Sequence, residues 1–300
     1  MGSELLLNTD LPIGQKHSGK VRDIYNLGDV LLVITTDRIS AFDVVMPNGI
    51  PFKGHVLNKL SVLWFKKLAN VIKNHFITDD VSKYPNVCQP YKYLLENRSM
   101  LVKKAKPLPV ECIVRGHLTG SAWKEYQEKG SACDIPLPKG LLESQELTTG
   151  PIFTPSTKAE AGFHDQNITL EQAKKILGPA MAELIREKSL VLYIRARELA
   201  KKVGIIIADT KFEFGLDENG RLMLIDEILT PDSSRFWPDD KYAAGRAQAS
   251  YDKQFVRDYL TSINWNKQPP APELPPQIIE KTSHKYLEAY VRLLTVLNGA

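Results

Sequence analysis

Two carboxylates and a lysine lie close together in an otherwise apolar stretch, residues 204–237. Two runs rich in β-forming residues flank the sequence Asp-Glu-Asn-Gly at 217–220, and this pattern predicts a β-hairpin. A turn centred there would place Lys211 opposite Asp226, so that Lys211, Glu213 and Asp226 share one face. The other face would carry the apolar side chains of Phe212, Phe214, Met223 and Ile225, with Phe214 opposite Met223.

The crowded carboxylates are the chemically informative feature of this hairpin. Neighbouring carboxylates repel each other unless a cation lies between them, and Mg²⁺ commonly takes one or two carboxylates together with substrate phosphates. Glu213 and Asp226 are therefore candidate magnesium ligands. The alternative is a partly solvated hairpin with a cross-strand Lys–Asp pair, which would contribute only about 0.2–1 kcal/mol. The polar loop at 230–235, which ends in Arg235, favours the functional interpretation because it could bind an anion.

The composition argues against several classes of protein. The chain has 300 residues, enough for one large domain or two lobes. A net charge of +4 is too small to indicate nucleic-acid binding by itself. No stretch approaches the roughly 20 apolar residues that cross a bilayer, and the N-terminus lacks the pattern of a signal peptide. Three scattered cysteines without CxxC spacing indicate reduced thiols and a cytoplasmic protein.

A glycine-bearing segment near the N-terminus could approach phosphates. Gly14 and Gly19 stand beside Lys16 and Lys20, ahead of a second predicted hairpin that ends near residue 36. The pattern matches neither the P-loop nor the Rossmann fingerprint. A tight turn with solvated lysines is an equally good interpretation.

The segment after that hairpin, residues 36–43, could form a ligand-facing edge through Asp37, Arg38 and Asp43, or only a turn and a cap. Helical spacing follows at 57–73. Trp64 and Phe65 within it are predicted to be core residues.

A connector with two prolines at Lys106–Pro109 predicts a hinge between an N-terminal lobe, residues 1–108, and a C-terminal lobe, residues 109–300. A crevice between lobes is a common place for a ligand. Just beyond the hinge, Arg115 and Ser121 could bind phosphate, and a helix beginning at Ser121 would add amide donors.

The remaining chain is mostly helical by pattern. An irregular stretch at 142–169 offers Lys158 and Asp165 as site candidates. A capping box at 169–172 then begins a helical region that extends to about Lys202, interrupted at Gly178-Pro179. We further predict helices at 242–260 and 278–297, separated by a proline-rich linker at 268–276.

Six segments together resemble the SAICAR synthetase family. They are GKVRDIY at 19–25, SAFDVVMPNGIPFKG at 40–54, VECIVRGHLTGS at 110–121, PSTKAEAGFHD at 155–165, DTKFEFG at 209–215 and LIDEILTPDSSRFW at 224–237. The resemblance runs in order along nearly the whole chain, which is similar to the longer, single-function form of the family.

The resemblance implies a two-lobed α+β fold related to ATP-grasp and kinase-like enzymes, with antiparallel sheets, flanking helices and a C-terminal helix. It also implies a ligase of purine biosynthesis with Mg²⁺ as cofactor. ATP, carboxyaminoimidazole ribonucleotide (CAIR) and L-aspartate would give the succinocarboxamide SAICAR, ADP and phosphate, through an acyl phosphate. We expect no nucleic-acid or membrane partner, and a monomer as the assembly.

The resemblance assigns roles to single residues as well. ATP would be bound by Lys16, Gly19, Lys20, Lys103, Leu108 and Glu111. The ribonucleotide and aspartate would be bound by Arg38, Ser40, Asp43, Arg115, Ser121, Asp232, Ser234 and Arg235. The reacting groups would be served by Lys211, Lys158 and Asp165, with Glu213 and Asp226 on the metal. Asp165 or His164 could take the proton of the aspartate amine.

Two other functions fit parts of the pattern. A small-molecule kinase could use the same nucleotide site and phosphorylate a hydroxyl, although the protein-kinase HRD and DFG motifs are absent from the sequence. A nucleotide-binding regulatory protein without turnover is the third possibility. The lysine and the two metal-type carboxylates argue against it.

Overall fold

The structure is a computed structural model, and it describes residues 5–158 and 166–298. The strands are β1 (Gln15–Ser18), β2 (Arg22–Asn26), β3 (Val30–Thr35), β4 (Arg38–Ala41), β5 (Val44–Gly49), β6 (Phe76–Thr78), β7 (Ser99–Lys103), β8 (Lys106–Pro107), β9 (Val110–Arg115), β10 (Ser131–Ala132), β11 (Ile135–Pro136), β12 (Ile152–Phe153), β13 (Ser156–Thr157), β14 (Ile205–Leu216), β15 (Leu222–Ile225) and β16 (Ser234–Pro238). The helices are α1 (Lys53–Lys67), α2 (Lys92–Leu95), α3 (Gly120–Lys129), α4 (Leu170–Leu177), α5 (Pro179–Lys201), α6 (Gln254–Ser262) and α7 (Pro276–Leu297).

The first sheet has five antiparallel strands in the order β1-β2-β3-β7-β6. Side chains alternate between its two faces, as strand geometry requires. Tyr25 and Leu32 pack into one apolar cluster, whereas Ile24 and Val33 face the main core. The predicted hairpin near the N-terminus is thus confirmed as β2–β3, and β1 adds a strand that the sequence pattern did not reveal.

The second sheet has seven strands and is built around β14, its longest strand. β9, β15, β16 and β8 all pair with β14, and the short strands β12 and β13 pair with β9. Its apolar face includes Phe212 and Phe214, both fully buried in the main core. The mixed helices and antiparallel sheets expected from the sequence are confirmed.

The predicted register of the β14–β15 hairpin is wrong by one residue. Phe214 pairs with Leu224 rather than Met223, and the ladder ends at Glu213 and Ile225, so Lys211 has no partner opposite it on β15. The cause is the loop, which spans 217–221 because the carboxylate of Asp217 accepts hydrogen bonds from the backbone N–H groups of Asn219 and Arg221. A one-residue change of register turns the side chains of β15 to the opposite face, so Ile225 lies on the face of Glu213 rather than on that of Phe214.

The helices confirm the sequence pattern in most places. The capping box of α4 is present, and α1 buries Trp64 and Phe65 as expected. α7 forms where the final helix was predicted and packs against α1, so the end of the chain contacts its N-terminal third. Among the described residues, no helix is both long and apolar enough to cross a membrane.

The helix predicted at 242–260 is wrong over its first half. Residues 242–253 are irregular, and α6 begins only at Gln254. Gly245 adopts a positive φ of 88°, and the carboxylate of Asp252 accepts a hydrogen bond from the backbone N–H of Gln254 at 3.0 Å. The helical spacing of residues in the sequence therefore extends across a segment whose backbone turns at Gly245 and is not helical.

The chain passes from the first sheet to the second between Lys103 and Lys106, just before the two prolines of the connector. β8 already pairs with β14, and the backbone N–H of Leu108 donates to the carbonyl of Phe214. The connector is therefore tied to the second sheet. A lobe boundary at residue 108 stays a prediction.

Candidate active site

A crevice of about 280 Å³ lies between the two sheets. Its apolar walls come from both sheets, and its polar lining is concentrated at one end. The apolar and basic lining residues nearest the connector include Leu31, Val102, Lys103, Ala105 and Pro107. The polar end is lined by His17, Arg22, His75, Lys158, Glu213 and Asp226.

The polar end holds an alternating set of carboxylates and lysines. Lys211 Nζ lies 2.8 Å from Glu111 Oε1 and 2.6 Å from Glu213 Oε1. Lys158 Nζ lies 2.6 Å from the other oxygen of Glu213. Burial opposes the charge of Lys211, but the carboxylates around it raise its pKa above the ordinary lysine value. Lys211 and Glu213, which the sequence predicts on one face of the strand, form an ion pair.

Asp226 reaches this cluster by a route that the sequence did not indicate. It follows the last residue of β15 and has a positive φ of 69°, a conformation that costs a non-glycine residue about 1–3 kcal/mol. This turn brings its carboxylate into the crevice, where Arg22 Nη1 lies 2.6 Å from Oδ1. Burial would raise the pKa of Asp226, but Arg22 and Lys211 hold it below its ordinary value.

Sequence reasoning missed three polar residues of the crevice, Arg22, His75 and His17. His75 Nε2 lies 3.2 Å from the carbonyl oxygen of Asp226, and burial lowers the pKa of His75 to about 4. Strand alternation could have placed Arg22 on the face of Ile24, but not beside Asp226, and His17 lies on β1, a strand that the sequence pattern did not reveal. His17 pairs with Ile24, and both line the crevice.

The residues expected to bind ATP do not all line the crevice. Lys16 points to the opposite face of the first sheet, where its Nζ donates to Asn8 Oδ1 and the carbonyl of Thr9. The structure therefore does not bring Lys16 to the crevice. Gly19 and Lys20 form the β1–β2 turn, and Lys20 pairs with Asp43. Lys103 lines the crevice, as described above.

A second charged cluster lies further along the same sheet. Asp209 on β14 is directly opposite Arg115 on β9 and Arg235 on β16. Its Oδ2 accepts from Arg115 Nη1 at 2.8 Å and also from Arg235 Nη1. Arg115 is further held by Thr154 Oγ1 at 2.9 Å and Ser121 Oγ at 3.0 Å. One carboxylate between two arginines leaves a net positive charge for an anion.

This cluster borders a pocket of about 500 Å³. Gly120 and Ser121 line it at the start of α3, together with Arg235, Lys124 and Phe42. Gly120 has a φ of 62°, and a Cβ atom there would lie 2.7 Å from Arg235 Nη2. Only glycine lets the backbone approach the guanidinium so closely. The predicted helix start near Ser121 and the association of Arg115, Ser121 and Arg235 agree with this geometry.

One face of β14 connects the two clusters. Asp209, Lys211 and Glu213 occupy alternate positions on that strand, so their side chains point the same way. Glu111 and Arg115 alternate in the same manner on the neighbouring strand β9. Four residues of strand span about 13 Å from Asp209 to Glu213. An anion pocket and a carboxylate–lysine cluster therefore lie within one small molecule's length of each other.

Arg38 and Asp43 of the β4–β5 hairpin contact the β1–β2 turn, which contains Gly19 and Lys20. The Arg38 guanidinium donates to the carbonyls of Gly19 and Lys20, and to Asp23 Oδ1 at 2.9 Å. Ser40 is buried within the hairpin. Asp43 lies at the tip, where it pairs with Lys20. This arrangement positions the turn, and it does not bring Arg38 or Ser40 to either pocket's lining.

Two other expected substrate ligands are enclosed by protein. Asp232 accepts from Lys53 Nζ at 2.8 Å and from the hydroxyl of Tyr286, and its side chain is 3% exposed. Ser234 lies on the opposite face of the sheet from Arg235, hydrogen-bonded to Thr210 at 2.8 Å. Asp165 and His164 lie outside the described residues.

Two carboxylates of the crevice could hold a magnesium ion that also binds phosphates. Within residues 5–158 and 166–298, no three His, Cys, Asp or Glu side chains form a metal-binding group. Glu213 and Asp226 offer two carboxylates at one end of the crevice, the number that Mg²⁺ commonly takes when phosphates and water complete its coordination.

The fold and these two pockets define the class of protein. It is an α+β protein with two adjacent pockets whose charged side chains suit anionic ligands, one in a crevice between the sheets and one beside it.

Comparison with known proteins identifies the family. A sequence model of SAICAR synthetase matches residues 15–272. The phosphoribosylaminoimidazole-succinocarboxamide synthase of Geobacter sulfurreducens is 57% identical over 292 residues, 97% of this chain and 98% of the relative. That of Syntrophotalea carbinolica is 57% identical over 290 residues, 96% of this chain and 97% of the relative.

Solved structures agree. SAICAR synthase from Saccharomyces cerevisiae, complexed with SAICAR, is 46% identical with a TM-score of 0.87, over 97% of this chain and 98% of that one. A SAICAR synthetase in complex with ADP is 27% identical with a TM-score of 0.67, over 94% and 98% of the two chains. The chain belongs to the SAICAR synthetase family. It is an ATP-dependent ligase of purine biosynthesis that joins L-aspartate to CAIR.

Proposed function

We propose that the ligation proceeds through an acyl phosphate of CAIR, with the nucleotide in the crevice and the ribonucleotide in the arginine pocket. The shared face of β14 supports this arrangement most directly. It carries Asp209 at the arginine pocket and Glu213 at the crevice, with Lys211 between them. A phosphoryl group leaving the crevice would meet the CAIR carboxylate near Lys211.

The chemistry requires activation because a carboxylate is anionic and lacks a leaving group. An oxygen of the CAIR carboxylate attacks the γ-phosphorus of ATP, and ADP leaves. The amine of aspartate then attacks the acyl carbon, the bond from that carbon to the phosphate oxygen breaks, and the amine loses a proton. Phosphoryl transfer of this kind depends on positioning and charge neutralisation rather than on covalent help from the protein. No covalent enzyme intermediate is needed.

Charged residues of this chain supply the neutralisation. Lys211 and Lys158, both ion-paired to Glu213, can turn toward a phosphoryl group because their side chains are 30% and 43% exposed. Glu213 and Asp226 would hold Mg²⁺, which when bound would neutralise phosphate charge. Arg115 and Arg235 would hold the ribonucleotide phosphate, and Ser121 would orient Arg115.

The nucleotide base and ribose have a matching environment. The apolar walls of the crevice, beside Lys103, suit a flat base. Leu108 on the connector would contact the base, and Glu111, which pairs with Lys211, would accept from a ribose hydroxyl. Lys20 and Gly19 would cover the phosphates from the β1–β2 turn. Asp165 stays our prediction for the proton acceptor. We place the enzyme in the cytoplasm as a monomer, and its three free cysteines support a reducing compartment.

Isotope transfer tests the acyl phosphate. CAIR labelled with ¹⁸O in its carboxylate should deliver one ¹⁸O atom to each phosphate released, because the oxygen that attacks phosphorus leaves with it. Phosphate without label, with SAICAR still formed, would rule out the intermediate while leaving the ligase activity intact.

A further inference from the structure

Arg22 joins the two sheets at the proposed metal ligand. It is the first residue of β2 in the first sheet, and Asp226 follows β15 of the second. Its two terminal nitrogens take both carboxylate oxygens: Nη1 lies 2.6 Å from Oδ1, and Nη2 lies 3.0 Å from Oδ2. Nη2 also lies 3.8 Å from Glu227 Oε1. This is a bidentate pair, the geometry in which arginine binds a carboxylate most strongly.

A bidentate arginine and a metal ion compete for Asp226. Both carboxylate oxygens already accept from Arg22, and the positive charge of the guanidinium beside them repels a divalent cation. The Arg22 and Asp226 side chains are only 18% and 17% exposed, so displaced Arg22 could not simply turn into water. The other proposed ligand differs, because Glu213 is held by two lysines whose side chains are more exposed, 43% for Lys158 and 30% for Lys211.

We propose that Arg22 is the counterion that excludes a divalent cation from Asp226 until the nucleotide arrives with it. The phosphates supply the negative charge that Arg22 loses when the metal takes Asp226. The enzyme therefore binds the cation weakly alone and tightly only together with nucleotide. This inference rests on the proposed role of Asp226 as a metal ligand.

The direct readout is the binding of Mn²⁺, a paramagnetic substitute for Mg²⁺, measured by electron paramagnetic resonance with and without ADP. Arg22→Gln should bind Mn²⁺ alone about tenfold more tightly than the wild type, because close charge pairs have coupling energies of this order or larger. The same variant should bind Mn²⁺ in the presence of ADP less tightly than the wild type. The cooperativity between metal and nucleotide, which is reciprocal, should fall accordingly.

Two further variants separate this role from a general effect of charge. Lys103→Gln removes one positive charge from the same crevice without releasing Asp226, so its affinity for Mn²⁺ alone should rise much less. Arg22→Lys keeps the charge, but one ammonium cannot hold two oxygens as a guanidinium does, so its affinity should lie between those of the wild type and Arg22→Gln. Thermal unfolding checks that each protein is folded. If Arg22→Gln does not fold, Arg22→Lys decides.

Asp226→Asn distinguishes failure of this inference from failure of the site assignment. If Asp226→Asn binds Mn²⁺ with ADP as tightly as the wild type, Asp226 is not a metal ligand, and both proposals fall. If Asp226→Asn loses that binding while Arg22→Gln matches either the wild type or Lys103→Gln, only the role of Arg22 is overturned. Tighter binding of Mn²⁺ alone by Arg22→Gln than by Lys103→Gln supports it.

Discussion

The arginine pocket and the crevice differ in how their charges are held. In the arginine pocket, Asp209 and its two arginines lie on adjacent strands of one sheet, in direct register. In the crevice, the pair between Arg22 and Asp226 joins two different sheets. The Arg115 side chain is 4% exposed, whereas that of Lys158 is 43% exposed.

This difference indicates two kinds of binding site. A cluster fixed by strand register is organised before its ligand arrives, and an incoming phosphate meets arginines already in place. The crevice instead satisfies its carboxylates with the protein's own cations. In the proposed mechanism these cations are released when metal and nucleotide bind. We therefore expect changes in the crevice to affect turnover and metal binding, and changes in the arginine pocket to affect ribonucleotide affinity.

The largest effect should come from Asp226→Asn, which keeps the shape of the side chain and removes its charge. Loss of a metal ligand and of the counterion of Arg22 should lower kcat about 10³-fold or more. Steady-state ADP release measures this, and calorimetry should show that CAIR still binds. Loss of CAIR binding in this variant would contradict the separation of the two sites.

Arg115→Ala should weaken ribonucleotide binding rather than turnover. It removes a buried guanidinium from the proposed phosphate site, so the KM for CAIR should rise about 10- to 100-fold while the affinity for nucleotide is kept. Arg221→Ala is the matched control, because Arg221 pairs with Asp217 on the exposed hairpin loop. An unchanged KM for CAIR in Arg115→Ala would remove this residue from the site.

Gly120→Ala should give a smaller effect at the same pocket. The added methyl group would meet Arg235 Nη2, so we expect the KM for CAIR to rise about tenfold, with about 1–2 kcal/mol of lost stability from the left-handed backbone. Gly130→Ala is its control. Gly130 has a similar φ of 70° but nothing within 4 Å of the added atom, so it should lose stability and keep its KM. If the two variants have the same KM for CAIR, the contact between the added methyl group and Arg235 does not affect CAIR binding.

The smallest effect concerns pH and the wall behind the arginine pocket. Burial lowers the pKa of His117 from 6.5 to about 4, and its ring packs edge-on against Trp237. Between pH 4 and pH 6.5 the imidazole of His117 binds a proton in the unfolded chain but not in the folded chain. The stability that comes from burying the neutral ring is therefore complete above pH 6.5 and is lost as the pH falls toward 4. The loss should be about 1–3 kcal/mol. Denaturant unfolding at pH 7 and pH 5 measures it.

His117→Gln should show a weaker fall in stability between pH 7 and pH 5 than the wild type. The exposed His284 offers a control, and His284→Gln should keep the wild-type dependence. The same pH dependence in His117→Gln and in the wild type would assign the effect to other groups.

The comparison also explains what the sequence could predict. Features encoded by neighbouring residues were found: the hairpin, the capping box of α4, and Arg115 with Ser121. The register was wrong because the side chain of Asp217 lengthens the loop, a contact that depends on geometry rather than composition. Arg22 was missed because its partner is distant in sequence and lies on the other sheet.

Some expected site residues lie outside both pockets because residue type does not reveal the direction of a side chain. Lys16 and His17 are neighbours on β1, yet only His17 faces the crevice. Asp232 has the chemistry of a ligand, but Lys53 and Tyr286 already bind it inside the protein. Both outcomes follow from strand alternation and from tertiary partners, which only the folded chain defines.

The most direct test of the account is the release of ADP from ATP, Mg²⁺ and CAIR, with and without L-aspartate, with the product identified by mass. The account predicts sustained ADP release only when aspartate is present, and a product with the mass of SAICAR. ADP released at the same rate without aspartate would contradict it and indicate a kinase or an uncoupled ATPase.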